Sequence, residues 1–162
     1  MSANKISGEL LGHIDKTLLL LSAQQEAFQE FVKKELPLLG KGRSAGMLTA
    51  DYIADYYTCA ETLFFRISQF FENSLPKDRW HSELLKKMTL TVPGIREQVI
   101  SDATAAILDE FLRFRHFRRY YFKPDYDWDR LDYLSAKFTD VHPKLASELL
   151  VFRAFVESLF PS

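Results

Sequence analysis

Residues 112–122 read LRFRHFRRYYF. Arg113, Arg115, Arg118, Arg119, His116, Tyr120 and Tyr121 stand there, separated by Leu112 and three phenylalanines. A guanidinium is always charged, and its planar fork of donors fits phosphate oxygens. An imidazole gives or takes a proton near neutral pH. Together these groups suit a phosphodiester. In RNA the 2′-hydroxyl is already placed to attack its own phosphorus. A protein then needs a base, cations around the phosphoryl oxygens and an acid for the leaving group. Such a scheme requires no metal, and no metal or cofactor is expected from this sequence.

The groups must share a surface to cooperate, and helical spacing decides which do. Residues three or four apart are neighbours on a helix. Phe114, Phe117 and Tyr121 then share a side with Ile107 and Phe111, which should face a core. Arg115, Arg118, Arg119 and Phe122 form a second cluster, and Arg113, His116 and Tyr120 a third row beside it. On this reading Arg113, Arg115, His116 and Arg119 converge on one cleft. The competing reading is a solvated basic face, with Asp109, Glu110, Asp125, Asp127 and Asp129 as weak ion-pair partners.

The elements around this stretch are helical. Apolar residues recur at Ile6, Leu10, Ile14, Leu18, Leu21, Phe28, Phe31 and Val32, in steps that fit one stripe of a long helix ended by Pro37. LLGKGRSAGM reads as a loop, with Thr49 or Asp51 capping a second helix that reaches about Ser74. Asp78 reads as the N-cap of a short third helix, DRWHSELLKKM. TLTVPGIREQVI, broken by Pro93-Gly94, is a connector. Ser101 caps the next helix, with Asp102 in its first turn, and this helix carries the basic-aromatic stretch to just before Pro124. Asp127 caps the last helix, which Pro143 should interrupt or kink. No window alternates at period two. The expectation is all-α: an antiparallel bundle of four or five helices in one domain, residues 1–162.

Bulk properties narrow the partners. The 162 residues carry a net charge of -1, so any attraction for a polyanion must be local. A single cysteine, Cys59, rules out an internal disulfide framework and suits a reducing compartment. Runs such as Leu18–Leu21 are far short of the ~20 apolar residues that span a bilayer. MSANKISGELLGH does not read as a secretory signal. A cytoplasmic protein with no membrane partner is expected. His81 has two readings, one facing the cleft and the other, favoured, a packed histidine with one hydrogen bond; His142 reads as a turn residue and Trp128 as a staple for the last helix. Tyr52, Tyr56, Tyr57, Phe64 and Phe65 read as core or dimer interface, and Cys59 as a buried thiol.

RWHSELLKKM, PGIREQVIS, LDEFLRFRHFRRYYF and YDWDRLDYL, in that order, resemble segments of HepT-like proteins of the HEPN superfamily, over roughly residues 50 to 160. The resemblance implies a helical bundle, commonly homodimeric, with a site in a cleft between paired helices. It also implies a ribonuclease toxin neutralised by a MntA-like nucleotidyltransferase, in characterised cases by AMP transfer to a tyrosine. The family motif R-N-x-x-x-H-x-Y falls on Arg115 to Phe122. Arg115 matches, whereas His116 holds the asparagine position, Tyr120 the histidine position and Phe122 the tyrosine position.

The site implied is therefore Arg115, His116, Arg119 and Tyr120 as catalytic residues, Arg113 and Arg118 as RNA contacts, and Tyr120 or Tyr121 as the modified phenol. A phenol titrating near pH ~10 is a poor base at neutral pH, and Phe122 has no hydroxyl. Two functions stay open at this point. One is a metal-independent endoribonuclease acting from shifted positions. The other is an inactive helical module that binds a nucleotidyltransferase or nucleic acid.

Overall fold

An apolar stripe through Leu10, Ile14, Leu21, Phe28 and Phe31 is buried almost completely, so the first helix lies along a shared core. A computed structural model describes residues 2–73 and 80–161. It consists of α1 (Ser2–Glu30), a π-helical turn (Phe31–Glu35), α2 (Leu36–Leu39), α3 (Arg43–Phe71), α4 (Trp80–Met88), α5 (Asp102–Tyr120) and α6 (Trp128–Ser158). Cross-contacts fix the directions. Phe28 meets Tyr52 and His13 meets Arg66, so α1 and α3 are antiparallel. Thr58 and Glu61 meet Arg115 while Arg43 meets Asp125, which makes α3 and α5 antiparallel. Asp15 with Arg153 and Phe28 with Phe138 set α6 against α1 in the same sense. The result is an all-α antiparallel bundle of four long helices, with α4 packed across α3 and α5.

Phe138 marks the centre. Its ring, fully buried, packs on Phe28 of α1, Tyr56 of α3 and Phe111 of α5. Tyr57 and Phe64 are buried with it, so the aromatic run of α3 is core, with Tyr52 and Phe65 partly buried at its edge. Cys59 is half-buried, and burial raises its thiol pKa. Trp128 packs against the core at the first residue of α6.

Several boundaries differ from the sequence expectation. Pro37 does not stop the first helix. The widened turn before it, where the Leu36 N–H donates to the Phe31 carbonyl, lets the proline enter a new first turn that needs no N–H from it. The helix ends instead at Gly40, whose φ of 76° suits glycine. Ile6 and Val32 are exposed and lie off the buried stripe. The expected loop shrinks to residues 40–42, and α3 starts at Arg43, ahead of Thr49 and Asp51. Gly46 is buried inside that helix, where a Cβ would stand 3.6 Å from the Tyr126 ring, and the helix continues through it despite its weak propensity. Asp78, the expected cap of α4, lies outside the described residues, as does Ser74.

Other expectations held. Ser101 caps α5 by accepting from the Thr104 N–H, and Asp127 caps α6 by accepting from the Asp129 N–H. The connector before α5 contains one isolated bridge, Val92 with Arg96, closed by a turn in which Gly94 takes a φ of 76°. Pro143, by contrast, was expected to interrupt or kink the last helix, and α6 instead runs unbroken through it from Trp128 to Ser158.

His142 is not a turn residue. It sits inside α6, and its Nδ1 is 2.8 Å from the Tyr56 hydroxyl. Desolvation by burial lowers its pKa, opposed by the Glu26 carboxylate. A neutral ring accepting from Tyr56 O–H is the stable arrangement, so protonation favours the unfolded chain. This contribution is complete above the unfolded value of 6.5 and is lost as pH falls through the lower folded value. His142→Gln, which keeps an acceptor for Tyr56, should therefore lose less of its denaturant midpoint than the parent between about pH 7 and 5. Urea titrations at both pH values measure this.

Candidate functional site

Beside α3 and α4, the C-terminal half of α5 borders a groove of about 650 Å³. Ala54 of α3, His81 of α4 and Leu112, Arg115, His116, Arg118, Arg119 and Tyr120 of α5 line it. Ala54 is too small to fill the space opposite α5, and Leu112 adds a second apolar wall. The neighbouring rows of α5, Arg115, Arg118 and Arg119 on one and His116 and Tyr120 on the other, thus meet on one opening.

Arg115 is anchored deeply. Its Nη1 donates to Glu61 Oε1 at 3.0 Å and to Thr58 Oγ1 at 3.0 Å, and its Nη2 donates to Glu61 Oε2 at 3.1 Å. The guanidinium also lies over the Tyr57 ring, 4.9 Å from its centroid. Glu61 is only 8% exposed and Arg115 23% exposed at their side chains, so the pair is largely desolvated. Both Nη1 hydrogens are engaged. The Nε–H and one Nη2 hydrogen are left for a ligand.

His81 completes this cluster. Its Nδ1 lies 2.9 Å from Glu61 Oε2 and 3.3 Å from Arg115 Nη2, while Trp80 packs on the ring at 3.7 Å between centroids. A carboxylate can only accept, so Nδ1 carries a proton, and in the neutral ring Nε2 is the free acceptor. The contact with Arg115 is then proximity without a hydrogen bond.

The remaining cations differ sharply. Arg118 lines the groove but is paired with Asp51 of α3. Arg119 has no hydrogen-bond or ion-pair partner among the described residues. Three guanidinium charges therefore meet two carboxylates, and the surplus positive charge is that of Arg119. Arg113 stays outside. It reaches back one turn to Asp109 at 2.7 Å, so its expected convergence with Arg115 and His116 does not occur. Of the acidic residues read as partners of α5, Asp125 binds Arg43 and Glu110 accepts from Tyr133.

The aromatic residues also part company. His116 is exposed and meets Tyr120 edge-on at 5.0 Å. Tyr120 is 61% exposed at the last turn of α5 and lines the groove. Tyr121 turns away, stacked on Phe117 with its hydroxyl donating to the Asp125 carbonyl at 2.6 Å. Phe122 is 91% exposed beyond the helix end.

Sequence reasoning missed Glu61, Thr58 and Asp51; His81 has the packing and hydrogen bond expected of it, and it lines the groove as well. The only local signal for it was its place in RWHSELL, within the segments that resembled HepT-like proteins.

Residues 48–156 match the family described as HepT-like protein. The chain belongs to that family. The match runs from α3 to α6 and contains every residue lining the groove; only α1, the π-helical turn, α2 and the start of α3 lie before it. No curated protein and no solved structure matches the chain. Among the described residues of this HepT-like protein, no helix is long and apolar enough to cross a membrane.

Proposed function

We propose that this HepT-like protein is a cytoplasmic endoribonuclease toxin whose groove holds one phosphate of RNA and cleaves beside it without a metal. One observation carries the reading: two imidazoles and an unpaired guanidinium open on the same groove. Arg119 and the free edge of Arg115 would take the phosphoryl oxygens, and Arg118 the neighbouring backbone. His116 would handle a proton. Tyr120 would stack or donate from the rim. Arg113, outside the groove, would add at most a distant backbone contact. The whole chain would act as one module.

A MntA-like nucleotidyltransferase would be its antitoxin. Transfer of AMP from ATP to a phenol oxygen, with release of pyrophosphate, needs an exposed hydroxyl. Tyr120 meets that need, whereas the Tyr121 hydroxyl is engaged. A homodimer is supported by exposed Leu19 on α1 and by Leu150 and Val151 on the adjacent α6.

The test is purified protein with end-labelled single-stranded RNA in the presence of a chelator. Cleavage leaving 2′,3′-cyclic phosphate and 5′-hydroxyl ends is expected, and RNA with 2′-deoxy positions should resist. Intact RNA would refute the reading. Arg119→Ala should reduce RNA affinity and lower the slope of log K against log salt by about 0.7, the loss of one single-strand phosphate contact. Its stability should stay within ~0.5 kcal/mol of the parent, because the side chain has no partner to lose. Fluorescence anisotropy across a salt series measures both slope and affinity.

A second reading is a non-catalytic module that binds RNA or the nucleotidyltransferase. It is favoured by Tyr120 in the family's histidine position and by the occupied fork of Arg115. It predicts binding with the same salt slope and no cleavage.

A further inference from the structure

We propose that His81 of α4, held by Glu61 of α3, is the proton acceptor of the cleavage step, replacing the histidine that α5 lacks at Tyr120. The inference rests on the ribonuclease reading above and names the base for that site.

A general base must have a fixed orientation and a free acceptor nitrogen facing the substrate. Three histidine and tyrosine side chains line the groove, and only His81 meets both conditions. Its Nδ1–H donates to Glu61 Oε2 at 2.9 Å, and Trp80 holds the ring from the side. That leaves Nε2 as the acceptor, in the manner of a carboxylate-oriented imidazole. His116 has only an edge contact with Tyr120, and a phenol is a weak base at neutral pH. Placement of the cation strengthens the case. Arg115 Nη2 is 3.3 Å from the His81 ring, so a phosphate on the free edge of Arg115 sits next to that imidazole. Glu61 is then a positioning residue for both groups. The charged groups facing His81 among the described residues are Glu61 from α3 and Arg115 from α5.

The step balances as a proton relay. Nε2 of His81 takes the 2′-hydroxyl proton, and the 2′-oxygen forms a bond to phosphorus. The bond from phosphorus to the 5′-oxygen breaks, its electron pair stays on that oxygen, and the His116 imidazolium supplies the proton. The products are a 2′,3′-cyclic phosphate and a 5′-hydroxyl, with the two histidines left in exchanged protonation states.

The experiment compares the full chain with His81→Gln and His116→Gln on an RNA with one cleavable linkage. His81→Gln should cut at least about 100-fold more slowly, a typical loss for a general base, while binding RNA within about twofold of the parent. A substrate with sulfur in place of the leaving 5′-oxygen needs no acid, so it should restore His116→Gln and leave His81→Gln slow. Glu61→Gln should move the acidic limb of the pH–rate profile, the one set by deprotonation of the base, to lower pH, a change that a structural role would not produce. If His81→Gln fails to fold, that shift decides the matter alone. A parent that cleaves together with an equally active His81→Gln, or an unmoved Glu61→Gln profile, overturns the role of His81 and spares the ribonuclease reading. A parent that leaves RNA intact overturns both.

Discussion

Arg115→Ala should cost about 3–5 kcal/mol of folding stability, the size seen when one partner of a buried ion pair is removed. Glu61 would be left 8% exposed with neither of its guanidinium hydrogen bonds, and Thr58 would lose its charged donor. Glu61→Leu should cost a similar amount by stranding the cation. The double variant Arg115→Met/Glu61→Leu removes both charges and keeps the volume, and it should recover most of the stability. RNA cleavage should stay at background in all three. Urea denaturation and RNA cleavage on the same preparations therefore separate the two roles of the pair. If the double variant cleaves RNA, Arg115 has no part in the chemistry.

That separation matters because Arg115, the residue most legible in the sequence, is also the most deeply committed to structure. Its position on α5 follows from helical spacing, and the ion pair of Arg113 with Asp109 follows from residues four apart. The partners of Arg115 and Arg118 do not. Asp51, Thr58 and Glu61 come from a helix more than 50 residues earlier, and their alignment depends on the antiparallel register of α3 against α5. No local pattern encodes that register. The same limit explains the boundaries. Long stripes such as Ile14, Leu21 and Phe28 announced α1, and the caps Ser101 and Asp127 announced α5 and α6. Pro37 and Gly46 misled because the relief comes from elsewhere. A widened turn accommodates the proline, and the glycine is buried in a helix that packs beside Tyr126 and Leu131. His142 was misread for a related reason, since its partner Tyr56 lies on another helix.

Arg96→Ala should have the widest effect of any single change outside the groove. The sequence placed this arginine in an unremarked connector, yet its side chain is 0% exposed. It donates through Nε and Nη2 to Glu72 Oε1, at 3.2 and 2.7 Å, and through its Nη groups to the carbonyls of Lys87, Leu90 and Glu97. Glu72 caps the end of α3, while Lys87 and Leu90 belong to the end of α4 and the residue run just after it. One guanidinium thus ties α3, α4 and the connector together. Removing it strands a carboxylate and three carbonyls, a change worth about 3–5 kcal/mol. The functional consequence follows from geometry. His81 reaches the groove only because α4 is held across α3 and α5, so amide hydrogen exchange should accelerate along residues 80–88 before the rest of the bundle. Arg96→Lys restores one charge but not the fork, and it should recover less than half of the loss. If exchange in α4 stays at the parent's rate while the bundle weakens uniformly, Arg96 serves the core alone and α4 is held by its apolar face, Leu84, Leu85 and Met88.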